Sequence, residues 1–96
     1  MEMTNIETLA KESLAQINFA KEDVLDSDAR KRLRNMYLKK AEVLGNTYKG
    51  KVKMFFKTAE DEIMAVETTI WFVNESHISL KGGINIPTKS IVAIEF

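Results

Sequence analysis

A chain of 96 residues, 45% hydrophobic and 29% charged, is long enough for one modest core and too short for two independent ones. It has no cysteine, which excludes disulfides, thiolate metal sites and thiol nucleophiles, and no apolar run of about eighteen residues, which excludes a membrane-spanning helix. The formal net charge of zero hides three blocks: residues 1–28 are net −5, residues 29–57 set ten Lys or Arg against Glu42 alone, and residues 58–96 are net −4.

The opening Met1-Glu2-Met3-Thr4-Asn5 has no basic leader pattern, so no signal peptide is expected and the expected location is cytoplasmic. Thr4 with Glu7 three residues on, ahead of Ile6, Leu9, Ala10, Leu14 and Ile17, has the form of a capping box that opens an amphipathic helix from about Asn5 to the low twenties. Phe19 falls opposite that stripe. Asp26-Ser27-Asp28 then supplies N-cap oxygens for a second helix, and Gly45-Asn46 supplies residues suited to its end. On this helix Ala29, Leu33, Met36, Tyr37, Val43 and Leu44 form the stripe expected to be buried. Lys31, Arg32, Arg34 and Lys39 spread over the outer face, Lys40 interrupts the stripe, and Leu38 sits on the polar side. The two helices predict an antiparallel hairpin over about residues 5–44.

From Thr47 the period changes to two, with Tyr48, Val52, Met54 and Phe56 on one face and Lys49, Lys51, Lys53, Phe55 and Lys57 on the other. A turn at Thr58-Ala59-Glu60-Asp61 precedes a long second strand from Glu62 to Val73. Asn74-Glu75-Ser76 turns the chain into a third strand at His77 to Lys81. Gly82-Gly83 reads as a hairpin turn needing positive φ, with Ile84 to Ile86 as the fourth strand. Pro87 ends that strand, Thr88-Lys89-Ser90 forms a single helical turn, and Ile91 to Phe96 closes a five-stranded antiparallel sheet.

This strand order over residues 47–96 resembles an SH3-like small barrel, a resemblance of fold only. Sm-like proteins share the order, and Lys81-Gly82 is similar to the basic-glycine pair of their second motif. Here that pair falls one hairpin early, so no RNA-binding residue is carried over. The expected fold class is therefore α+β, a single domain of helical hairpin followed by a partly closed SH3-like barrel.

Candidate chemistry is sparse. Glu75, Ser76 and the only histidine, His77, sit side by side, but neighbours on a strand point to opposite faces and do not converge as a triad. Glu60-Asp61-Glu62 lacks the alternate-residue ligands and glycine of a calcium loop. Trp71 is expected in the barrel core or an interface. With no nucleophile-base pair, cofactor fingerprint or metal cage, the expectation is a protein that is not an enzyme and holds neither cofactor nor metal.

Phe19, Leu38, Phe55 and Trp71 fall off the faces that one shared core would use, which suggests an interaction or assembly module, either a homo-oligomer such as a dimer through the hairpin or a binder of another protein. The alternative is a nucleic-acid-binding accessory protein that uses the basic segment 30–57. The candidate interaction surface is Arg30, Lys31, Arg32, Arg34, Leu38, Lys39, Lys49, Lys51 and Lys53. The contrary expectation is that the acidic flanking blocks fold against the basic one and cancel its field. No membrane partner is expected.

Overall fold

The computed structural model describes residues 6–96; the expected capping residue Thr4 and the expected helix start at Asn5 lie outside the described residues. The fold is α+β, with one α-helix and seven strands in two sheets among the described residues. In chain order these are β1 (Thr8–Leu9), a 3-10 turn (Lys11–Gln16), α1 (Asp28–Tyr48), β2 (Val52–Lys57), β3 (Ile63–Thr68), β4 (Ile70–Val73), β5 (His77–Leu80), β6 (Asn85–Pro87), a second 3-10 turn (Thr88–Ser90) and β7 (Ile91–Glu95).

The helical hairpin does not form. Its first member is replaced by an extended arm in which Thr8 and Leu9 pair in parallel with Ala65 and Val66, and the Ala65 N–H donates to the Glu7 carbonyl at 3.0 Å. β3 would otherwise present an open edge, and this short strand closes it. A lone helix punctuated by Thr8, Ser13 and Asn18 has too little intrinsic stability to compete with that pairing. The apolar residues still reach the core by another route. The 3-10 turn buries Leu14, while Leu9, Ile17 and Phe19 pack against the same cluster and the Phe19 ring meets Phe56 at 5.1 Å.

α1 runs past its expected stop. Ser27 caps it by accepting from the Arg30 N–H, and it ends at Lys49, which takes the left-handed conformation at φ 56. Gly45-Asn46, read as a terminator, lies inside the helix and binds it to β4. A β-carbon on Gly45 would collide with the Ile70 carbonyl oxygen, so the glycine permits close approach. Asn46 Nδ2 donates to the Trp71 carbonyl at 3.0 Å, and Glu42 Oε2 accepts from the Val73 N–H at 2.8 Å. The buried face of α1 is accordingly Arg34, Leu38, Ala41 and Gly45, a different stripe from the expected one.

The long second strand is two strands, β3 and β4, which break at Thr69 and enter different sheets. One sheet has the order β1-β3-β2-β7 and the other β4-β5-β6. Closing a barrel would require β6 to pair with β7, but among the described residues β6 pairs only with β5 and β7 only with β2, and they form no closed barrel. The outer edge of β4 is satisfied by the Glu42 and Asn46 side chains rather than by another strand. The final hairpin is as expected: Gly82 and Gly83 sit at φ 95 and 83, the Gly83 N–H donates to the Leu80 carbonyl, and Thr88–Ser90 makes a single turn before β7.

Candidate interaction surface

The stripe that the sequence assigns to a helix partner lies at the surface, because the first helix that was to cover it does not exist. Met36 and Val43 are 61% and 60% exposed, and Leu33, Tyr37 and Tyr48 are exposed with them. Phe96, just beyond β7, folds back beside this face. Its ring meets Tyr37 edge-on at 6.0 Å and carries the Lys40 ammonium 4.9 Å from its centroid. Lys40 therefore stands over an aromatic ring at the surface, as an amphipathic side chain does when its stem lies on apolar neighbours.

The Tyr37–Phe96 contact stands between two apolar recesses. One, of about 280 Å³, lies between α1 and β7 and is lined by Leu25, Leu33, Tyr37 and Ile94, with Arg30 and Arg34 among its walls. The other, of about 360 Å³, is formed by Lys40, Val43, Leu44, Tyr48 and Phe96. No strand pairs with the outer edge of β7 among the described residues. One backbone acceptor on this strand, the Ile91 carbonyl, is taken by Arg34 Nη1 at 3.1 Å.

The sequence-derived surface residues do not form one face. Leu38 is fully buried in the core and Arg34 is buried against Asp23, so neither is available to a partner. Arg30, Arg32 and Lys39 are exposed on α1, Lys31 is half-buried, Lys49 and Lys51 are exposed beyond the helix, and Lys53 lies over the Phe55 ring. Of the four apolar residues expected to be surplus, Leu38 and Phe55 are buried, Phe19 packs on Phe56, and Trp71 alone is exposed. Trp71 and its neighbour Phe72 both face solvent because the β4–β5 register shifts between Ile70 and Phe72, which breaks the usual alternation.

The acidic flanks cover the basic block only in part. From the first twenty-eight residues, Asp23 alone forms an ion pair with it among the described residues. The Arg34 guanidinium, through its hydrogen bonds, holds the Asp23 carboxyl below the ordinary aspartate range against the opposing effect of burial, with help from the Leu25 N–H and the charges of Arg34 and Lys31. Lys57 pairs with Asp61, and Lys53 stands opposite Glu67 on one side and Glu95 on the other. Arg30, Arg32 and Lys40 have no carboxylate partner among the described residues.

The Glu75-Ser76-His77 segment is an exposed turn organised by Asn74, whose Oδ1 accepts from the Ser76 and His77 N–H groups. Ser76 Oγ lies 3.1 Å from His77 Nδ1, closer than strand alternation predicts, but Asn74 Oδ1 is equally near to it. No protein-family model matches the chain, and no curated protein or solved structure matches it significantly.

Proposed function

We propose that the chain is a small, non-enzymatic interaction module whose binding face is the exposed stripe of α1 together with Phe96 and the groove along β7. The observation that carries this reading is the continuity of Leu33, Met36, Tyr37, Val43, Tyr48 and Phe96 at the surface. Apolar patches of this kind mark interaction sites when they are contiguous rather than scattered. The core does not use these side chains: α1 docks through Leu38, Ala41 and Gly45. A partner would cover them.

A nucleic-acid role for segment 30–57 has weaker support. The strand lysines Lys53 and Lys57 face carboxylates, and Arg34 is buried, so the basic residues do not make a continuous phosphate track. The test of the interaction reading is a photoreactive residue placed at Val43, with Glu67 as a control position, combined with sedimentation of the purified chain. Adducts specific to Val43, or mass above the monomer that Val43→Glu abolishes, support the module. Identical labelling at both positions together with a strict monomer removes it.

A further inference from the structure

Three cations of α1 serve acids of the chain itself: Arg34 pairs with Asp23, Lys31 adds to the field at Asp23, and Lys39 pairs with Glu42. The other three, Arg30, Arg32 and Lys40, are exposed and have no carboxylate partner among the described residues. Arg30 and Lys40 line the recesses of the stripe, so the apolar face carries cations that no carboxylate engages in an ion pair among the described residues.

The two recesses repeat one chemistry. Each has an apolar floor, and each has a cation in its wall, Arg30 in the first and Lys40 in the second. Ten residues separate the two cations along α1, which at ~1.5 Å per residue sets them ~15 Å apart. A second copy of this chain would bring Arg30, Arg32 and Lys40 against their own equivalents or near them, and like charges at that range repel.

We infer that the face binds an acidic amphipathic helix of another protein, one that seats two apolar side chains about three helical turns apart in the two recesses and sets carboxylates against Arg30 and Lys40. The inference rests on the reading of the α1 stripe as a binding surface. It adds the partner's charge, conformation and anchor spacing.

Fluorescence anisotropy with labelled synthetic helical peptides of about eighteen residues tests it. Three peptides are needed: Leu anchors three turns apart with flanking Glu, the same peptide with Lys for Glu, and the acidic peptide with its anchors one turn apart. The first is expected to bind at least about tenfold more tightly than either of the others. The double variant Arg30→Glu/Lys40→Glu should reverse the preference so that the Lys peptide binds better. This exchange reads charge pairing and not folding, because both side chains are exposed. Equal binding of the acidic and basic peptides to the unaltered chain, or no reversal in the variant, overturns the acidic partner while leaving the stripe a binding face. Absence of peptide binding, with self-association that Val43→Glu abolishes, gives the face to a second copy. Binding to phosphatidylserine vesicles without binding to the acidic peptide gives it to a membrane surface. Either result overturns the inference. No binding of any kind by a strict monomer removes the interaction reading as well.

Discussion

Arg34 and Asp23 meet in a two-point ion pair, with Nη1 donating to Oδ1 at 2.9 Å and Nη2 to Oδ2 at 2.8 Å. The bond ties the segment before α1 to the helix itself, and through the Ile91 carbonyl the same guanidinium reaches β7. Three parts of the chain converge on one side chain. Removing it leaves a half-buried carboxylate and a buried carbonyl without their donor, so Arg34→Ala should cost about 2–4 kcal/mol. A cycle built from Arg34→Met and Asp23→Leu should show a coupling of about 1–3 kcal/mol in denaturant titrations. Additive single effects would show that the two side chains act independently.

The same pair sets a pH dependence. The folded Asp23 binds a proton less readily than the unfolded one, because Arg34 favours its charged form. Its contribution to stability is complete above the unfolded aspartate pKa of about 3.9 and is lost as pH falls through the lower folded value. The stability difference between the unaltered chain and Asp23→Asn should therefore be largest near neutrality and shrink below about pH 4. A difference that stays constant from neutral to acid conditions would contradict this assignment.

Gly45→Ala opposes two effects. Alanine favours a helix interior by about 1 kcal/mol over glycine, but here its β-carbon would drive α1 away from the Ile70 carbonyl oxygen. The displacement would also strain the Asn46 and Glu42 bonds to β4. A net loss of about 2 kcal/mol or more is expected from the denaturation midpoint. A stabilised Gly45→Ala chain would mean that the helix does not approach β4 this closely.

Two positive-φ positions make opposite predictions. Lys49 occupies the left-handed region at φ 56, so Lys49→Gly should stabilise by about 0.5–1 kcal/mol. Gly83 has no neighbouring atom that a β-carbon would meet, so Gly83→Val should destabilise by about 1–2 kcal/mol through backbone strain alone. Thermal melts of the two variants should shift in opposite directions.

The two stripes of α1 can be told apart by charge insertion. Met36→Glu and Val43→Glu should each change stability by less than about 0.5 kcal/mol, because both side chains already face water. Leu38→Glu places a carboxylate at a fully buried position and should prevent folding. Comparable losses at all three positions would mean that the stripe is covered.

In the strand half the last hairpin was legible because its signals are local: Gly82-Gly83 needs positive φ and Pro87 limits a strand. The division of the second strand between two sheets, and the burial of Phe55 on the face read as the lysine face of β2, carried no such local signal. The helix face was not legible. Leu33, Met36 and Tyr37 outscore Ala41 and Gly45 in hydrophobicity, but close packing against a strand selects the small residues, and periodicity does not register that choice. A signal was present in the four-residue spacing of Ala41 and Gly45 and in Asn46 beside it, which read as a helix end only when the carbonyls of β4 were not considered. The N-terminal arm was misread because its apolar spacing suits either a helix or an extended segment with one helical turn. What decides between them is the open edge of β3, a demand that originates nearly sixty residues away. The exposed stripe was read correctly as a stripe and wrongly as core.

The arm also fixes an order of assembly. Its contacts join residue 8 to residue 65 and residue 19 to residue 58, whereas β2 and β3 meet across a short turn. Local pairings form before distant ones because the loop to be closed is shorter. The arm precedes α1 in the chain yet is expected to settle after the β2–β3 pair that receives it. Until it does, the Ala65–Val66 edge is bare and able to recruit strands from other molecules, so slow arm docking is the step at which a crowded refolding solution should lose material to aggregates.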